Sequence, residues 1–150
     1  LYAAERRKRF GAKLGVTGAD DALIDGFLDM LTAQGADFTG AFRALSEVAR
    51  GNRLPLGALI GRDPRLEGWL AEWAARRDRT PEAMDGVNPL YVPRNHRVEE
   101  ALAAAQAGDM APMQRLMEAL STPFTALPGF EDLEGPAPEG FGSYVTFCGT

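Results

Sequence analysis

The one histidine is the first side chain to consider for acid–base chemistry. His96 has no serine or cysteine near it in a recognisable nucleophile motif. A lone histidine close to a predicted helix start is typical of a surface or packing residue. A small enzyme that uses His96 with neighbouring carboxylates stays as one hypothesis, but the sequence predicts no catalytic residue.

Three carboxylates recur at helical spacing. Asp21, Asp25 and Asp29 follow one another every fourth residue and would share one face of a helix. Leu23, Ile24, Phe27, Leu28 and Leu31 make up the apolar residues of the same helix. The pattern predicts a solvated helix face, because nothing supplies the fixed oxygen geometry that a metal needs. No metal site is predicted.

Two glycine-containing stretches could be compared with phosphate-binding loops. Gly11-Ala12-Lys13 and Gly57-Ala58-Leu59-Ile60-Gly61 both lack the buried strand that precedes such a loop. We therefore predict no cofactor site in this chain. Trp69 and Trp73, four residues apart, indicate a core stripe rather than a ligand box.

Charge and cysteine content limit the classes of partner. The net charge is −5, which argues against nucleic acid because phosphate contacts need a basic face. No apolar run approaches the roughly 20 residues that span a bilayer, so no membrane is expected as a partner. The single cysteine, Cys148, allows no internal disulfide and fits a reducing, cytoplasmic location. Because the sequence opens without a methionine, we expect it to be part of a longer chain.

Helix start and stop signals divide the first 120 residues. Thr17 begins a stretch with capping-box spacing, and Asp37 can cap the next helix. Asp63 and Thr80 each precede a proline, which favours a helix start. The apolar stripes predicted to face inward are Phe38, Phe42, Leu45 and Val48; Leu66, Trp69, Leu70 and Trp73; Val98, Ala101, Leu102 and Ala105; and Met110, Met113, Leu116, Met117 and Leu120.

The composition changes near residue 121. Four prolines and four glycines follow within residues 121–142, and they exclude a long helix. Only Tyr144-Val145-Thr146-Phe147 has the composition of a strand. The predicted fold class is all-α, with a compact multi-helix domain over residues 1–120 of about six to eight helices. An extended Pro/Gly-rich C-terminal tail over residues 121–150 would pack on that domain or on a surface outside the chain.

One segment carries a more specific signal. Asn88-Pro89-Leu90-Tyr91-Val92-Pro93-Arg94-Asn95 resembles the Asn-Pro-x-x-Val-x-Arg-Asn signature of the selenoprotein O family. Lys13-Leu14-Gly15, Asp37-Phe38-Thr39 and Phe42-Arg43-x-Leu45 resemble further family segments, and Cys148-Gly149-Thr150 stands where that family has cysteine or selenocysteine near its end. Pro93 and Gly149-Thr150 depart from the usual family residues.

The resemblance implies a function for a longer parent protein. Family members are kinase-like protein adenylyltransferases, which use ATP and Mg²⁺ to transfer AMP to protein hydroxyls. None of their catalytic residues matches a position here, so this chain would be the non-catalytic C-terminal part. Its partners would be the N-terminal kinase-like core and the parent's protein substrates. Cys148 is then a candidate redox residue.

Two interpretations of the motif residues follow from their chemistry. Asn88, Pro89, Arg94 and Asn95 are expected to be structural, as a turn and helix start in which Arg94 can bind a carboxylate or backbone carbonyls. Direct contact with a substrate is the alternative. A stand-alone helical protein-interaction module is the alternative function for the whole chain.

Overall fold

Helices account for all the regular secondary structure in residues 1–137, which are the residues that the computed structural model describes. The all-α prediction is confirmed for this part of the chain. The predicted strand over residues 144–147 and Cys148 lie outside it. The helices are α1 Tyr2–Leu14, α2 Asp21–Gln34, α3 Phe38–Ala49, α4 Leu54–Ile60, α5 Leu66–Arg76, α6 Pro81–Asp85, α7 Asn95–Gln106 and α8 Ala111–Ser121, followed by a 3-10 turn at Glu131–Leu133.

The chain divides into two units, Leu1–Leu90 and Tyr91–Thr150. The first contains α1 to α6 and the second begins with α7 and α8. This division does not coincide with the boundary predicted near residue 120, which stays a prediction because much of the tail lies beyond residue 137.

Side-chain caps start three of the helices. The carboxylate of Asp37 accepts from the Gly40 amide at 2.8 Å, and the hydroxyl of Thr80 accepts from the Ala83 amide at 3.1 Å, both as predicted. The prediction for Thr17 is wrong, because α2 begins later in the chain. Asp20 is its cap and accepts from the Leu23 amide at 2.9 Å. A carboxylate directly before the helix displaces the more distant hydroxyl.

The segment around Asp63 also differs from the prediction. Asp63 does not start a helix at Pro64; it closes a turn by accepting from the Arg65 amide at 2.9 Å, and α5 begins at Leu66. The preceding helix α4, at Leu54–Ile60, was not predicted. It has a proline in its first turn but no side-chain cap, and it is only seven residues long.

The core of the first unit is built from apolar faces of α1 to α6. Trp69 and Trp73 are buried, as their helical spacing predicted. Their rings are nearly parallel, and Phe27 stacks on Trp69 with ring centroids 4.7 Å apart. Each indole nitrogen donates to a buried carbonyl, that of Leu23 or of Leu14. These bonds remove the cost of burying a polar N–H and fix the position of α5 against α1 and α2.

The second unit starts with the pair α7 and α8, joined by a turn at Gly108. Ala101, Leu116 and Ala119 are buried in it. Leu102 and Met117 are 49% and 62% exposed, so their predicted inward positions are wrong. The small residue Ala119 is fully buried, whereas the larger Met117 is not. Met110 and Phe38, also predicted to face inward, are likewise exposed.

Candidate functional site

Three separated motifs meet where α1 ends. Asn88 is fully buried, and its side-chain amide Nδ2 donates to the carbonyl of Lys13 at 2.9 Å. The guanidinium of Arg43 on α3 donates to the backbone carbonyl of Asn88 at 2.9 Å. We call this cluster, formed by Lys13, Leu14, Gly15, Arg43 and Asn88, the Asn88 junction. The motif similarities seen in the sequence thus converge in space within the first unit.

The junction satisfies carbonyls that a helix end leaves without partners. The last carbonyls of any α-helix have no intrahelical donor. Here the carbonyl of Leu14 accepts from the Trp73 indole at 2.8 Å. The carbonyl of Gly15 accepts from the backbone amides of Asp78 and Arg79 at 3.0 and 3.1 Å. Each acceptor is therefore matched by a donor from a distant part of the unit.

Gly15 makes this close approach possible. It has φ +72°, a conformation that L side chains rarely adopt. A Cβ atom at Gly15 would lie 2.8 Å from both Cγ and Sδ of Met84, which is fully buried. Both backbone conformation and packing thus require glycine here.

An ion-pair network extends the junction on its α3 side. Arg43 Nε lies 3.1 Å from Asp85 Oδ1, and Arg50 Nη2 lies 2.6 Å from Asp85 Oδ2. Asp85 ends the short helix α6. Arg43 on α3 and Arg50 directly after its end therefore hold α6, and with it the approach to Asn88, in place.

The second half of the Asn-Pro motif lies in the second unit. The side chain of Arg94 is half-buried, and its guanidinium donates to the backbone carbonyl of Glu134 at 3.0 Å. A backbone carbonyl is one of the two kinds of partner that were expected for this guanidinium from the sequence. Asn95 is exposed at the start of α7. The structure thus gives the two asparagines of the motif opposite environments.

Arg94 is one of three arginines that hold the segment 129–134, which we call the strap. Arg97 donates to the carbonyl of Asp132 at 2.9 Å. Arg115 pairs with the Asp132 carboxylate at 2.5 Å, donates to the Gly129 carbonyl, and lies 4.6 Å from the ring centroid of Phe130. The beginning of the predicted tail is therefore fixed on α7 and α8.

Tyr91 supports the chain on its way to the strap. Its side chain is buried, and its hydroxyl accepts from the Leu127 amide at 2.9 Å. Its backbone amide donates to the carbonyl of Pro123 at 3.3 Å. This role was not predicted from the sequence. The only signal for it was an aromatic residue inside the motif, because large aromatic side chains are often buried.

The remaining predicted chemistry residues do not form a reactive set. His96 is buried in the second unit, and this burial, with the charge of Arg97, lowers its pKa. Asp21 and Asp25 lie 3.1 and 2.6 Å from Arg6 on α1. The predicted solvated face is thus a half-exposed ion-pair surface between two helices. Hydrogen bonds from Arg7 lower the pKa of Asp21.

Metal-ligating side chains do not cluster anywhere in residues 1–137. Within the same residues, no helix combines the length and apolar character needed to cross a membrane. The geometry of the Asn88 junction and of the strap is that of backbone-binding donors, which position chain segments. Neither contains a nucleophile beside a base.

Comparison with known proteins finds clear relatives of this chain. It is 48% identical to the protein nucleotidyltransferase YdiU of Mycobacterium sp. (strain KMS) over 143 residues, which is 93% of the chain and 30% of the relative. The homologous protein of Cereibacter sphaeroides (strain ATCC 17023) is 50% identical over 147 residues, with the same coverage. That of Sphingopyxis alaskensis is 43% identical over 157 residues, covering 99% of the chain and 32% of the relative.

The chain is a relative of the YdiU protein nucleotidyltransferases. The relationship predicted from the motifs is confirmed at the level of sequence identity to these relatives. No family model matches the chain. The chain spans about 30% of the length of the YdiU relatives it matches.

Proposed function

We propose that this chain is the non-catalytic C-terminal helical part of a protein adenylyltransferase of the selenoprotein O family. The parent would transfer AMP from ATP to hydroxyl groups of other proteins in the cytoplasm, with Mg²⁺ bound in a kinase-like core outside these residues. The helical part would support that core or regulate it. ATP and Mg²⁺ would be cofactors of the parent and not of this chain.

One observation carries the proposal. Identity of 43–50% extends over almost the entire chain, yet the chain covers only about 30% of each YdiU relative. An alignment of this kind is expected when one piece of a larger enzyme is compared with whole enzymes. Nucleotidyltransferase is the name of those relatives, and we propose the activity for the longer parent protein and not for this chain alone.

The described geometry supports a supporting role. In the Asn88 junction and the strap, amide and guanidinium donors bind the backbone carbonyls of segments that are distant in the sequence. Buried donors of this kind hold segments at fixed positions and raise the stability of the elements they join. Such a scaffold can present a rigid surface to a catalytic core.

Cys148 adds a regulatory proposal that rests on the family resemblance. It lies outside the described residues. We propose that Cys148 pairs reversibly with a cysteine of the absent core. The thiolate of one cysteine would attack, an oxidant such as glutathione disulfide would accept the two electrons, and the protons would pass to the released thiols. The bond would tether the end of the chain near the catalytic site.

The experiment compares the 150-residue chain with its longer parent. Both are purified and incubated with Mg-ATP labelled in the α-phosphate, and AMP incorporation into proteins is measured. Label transferred by the parent, together with no saturable Mg-ATP binding by the 150-residue chain in calorimetry, is expected. Specific micromolar binding by the short chain would contradict the proposal. A gene that encodes no longer protein would favour the stand-alone interaction module instead.

A further inference from the structure

Within residues 1–137, one cation lies above an open aromatic surface of the first unit and makes no ion pair there. Lys13 Nζ lies 5.6 Å from the ring centroid of Phe42 and 6.0 Å from that of Phe38. Phe38 is 44% exposed and packs on the buried Phe42 with ring centroids 4.8 Å apart. Phe10 meets Phe38 edge-on at 6.3 Å. We call the surface formed by Phe10, Lys13 and Phe38 the aromatic ledge.

The charge of Lys13 is compensated less well than that of its neighbour on α1. Arg6 also lies over an aromatic ring, that of Phe10, at 5.3 Å, but it pairs with Asp21 and Asp25 as well. Lys13 is half-buried and makes no ion pair with any carboxylate in residues 1–137. Partial burial of an ammonium costs free energy, and a carboxylate partner would recover part of that cost.

The exposed ring beside this cation makes the ledge suited to a protein partner. Aromatic side chains are enriched at the centres of protein interfaces, where they fill apolar contacts on the other side. A partner that presents a carboxylate to Lys13 and an apolar side chain to the open face of Phe38 would satisfy both features. Charge complementarity therefore specifies an acidic and apolar segment.

The occupant follows from the size of the relatives. Because the chain spans only about 30% of the YdiU proteins it matches, most of such a protein would lie outside these residues. We infer that the aromatic ledge is the docking surface for a segment of the longer parent outside these 150 residues. This segment carries an aspartate or glutamate next to an apolar residue. The inference rests on the proposed function, since it needs a longer parent.

Amine labelling tests the docking directly. The chain has two lysines, Lys13 and Lys8, and Lys8 is exposed on α1 and serves as the internal control. The 150-residue chain and the longer parent are treated briefly with acetic anhydride. The labelling rate of Lys13 relative to Lys8 is then measured by mass spectrometry. Labelling of Lys13 requires the state in which the segment is undocked. If the docked state is about ten times more populated than the undocked state, the relative labelling rate of Lys13 should be about tenfold lower in the parent.

Variants provide a second readout that does not depend on activity. Lys13→Glu and Phe38→Ser should lower the melting temperature of the parent, whereas Lys8→Glu should leave it unchanged. Lys13→Met should act like Lys13→Glu but less strongly, because it loses the charge and retains the stem. Circular dichroism of the same variants in the 150-residue chain shows whether that chain still folds. A loss seen equally in both proteins would indicate a merely structural role and overturn the inference.

Each outcome is decisive for the ledge. Equal Lys13 labelling in the two proteins overturns the inference. If Lys13 of the 150-residue chain becomes protected from labelling as the protein concentration rises, the occupant is a second copy of the chain. That result also overturns the inference. If the parent transfers no AMP but protects Lys13, the docking surface stands and the proposed function fails.

Discussion

The side-chain amide of Asn88 donates to the backbone carbonyl of Lys13 across 75 residues of sequence, at 2.9 Å. Asn88→Ala leaves that carbonyl without its donor in a buried place. We expect a loss of about 1–3 kcal/mol in the free energy of unfolding of the first unit, measured by urea titration with tryptophan fluorescence.

Asn95→Ala is the matched control for this prediction. Asn95 belongs to the same motif but is exposed at the start of α7. A substitution at such a position should change stability by no more than about 0.5 kcal/mol. Equal effects of the two alanine variants would show that the Asn88 junction does not stabilise the fold.

Gly15→Ala should destabilise the first unit more than Gly35→Ala. Both glycines have a left-handed backbone, with φ +72° and +60°, so each alanine adds strain of about 1–2 kcal/mol. Only at Gly15 does the new Cβ meet another side chain, that of Met84 at 2.8 Å; no atom lies within 4 Å at Gly35. Thermal melts of both variants give the difference, and Gly15→Ala should cost less in a Met84→Ala background than in the parent sequence, as a double-mutant cycle would measure. No difference between the two glycine variants would contradict the packing argument.

Asp63 should make stability depend on pH in the acid range. Its hydrogen bonds from the side chain and then the backbone amide of Arg65 lower its pKa from 3.8 to about 2. A carboxylate with a depressed folded-state pKa stabilises the protein above its unfolded pKa, and this contribution is lost as pH falls from about 4 through 2.

Asp63→Asn tests this sign. Urea midpoints measured between pH 2 and 7 should be lower for the variant at neutral pH and should converge with those of the parent sequence near pH 2. Arg65→Met, which removes the side-chain donor and keeps the backbone amide, should show a smaller change in the same direction. A constant difference across the pH range would mean that Asp63 acts by packing alone.

Arg115→Ala should release the strap. It removes the pair with Asp132 and the contact with the Phe130 ring, which together contribute about 1–2 kcal/mol. Chymotrypsin cleavage after Phe130 should then become roughly 5–30 times faster, in proportion to the open population. Gln114→Ala, at an exposed neighbour on α8, should cleave at the original rate. A strap cut equally fast in all three proteins would show that Arg115 does not hold it.

Cys148→Ser tests the redox proposal in the longer parent. If Cys148 pairs with a core cysteine, AMP transfer by the parent should respond to oxidised and reduced glutathione, and the variant should lose that response. Mass spectrometry after alkylation measures whether Cys148 is bonded. A variant that keeps the full redox response would exclude this cysteine as the sensor.

Local signals explain which parts of the fold could be predicted. Asp37 and Thr80 cap helices within three residues of themselves, and the Trp69 and Trp73 stripe follows from helical spacing. Helix α4 escaped prediction because it lacks a side-chain cap, and Thr17 was misassigned because the nearer Asp20 competes for the same amides.

The functional geometry depends on distance in space, which spacing does not encode. The resemblance marked Lys13, Arg43 and Asn88 individually, but their meeting at one helix end needs the packing of α1, α3 and α6. Leu102 and Met117 were assigned inward because they are apolar, but both are exposed, whereas Ala101, Leu116 and Ala119 are buried. Hydrophobicity alone could not distinguish these positions, because the packing of the second unit decides which of them face inward.

The long separations in the Asn88 junction bear on how the protein is made. On the ribosome, α1 is made before the rest of the first unit, and the donors for its last carbonyls follow 59 residues later at Trp73 and 75 residues later at Asn88. At roughly 5–20 residues per second, the carbonyl of Lys13 waits about 4–15 s for Asn88. During that interval water must occupy the places of the missing donors. Nascent chains stalled before residue 88 should thus keep α1 open to chaperones and proteases, and completion of the first unit should coincide with the arrival of one asparagine.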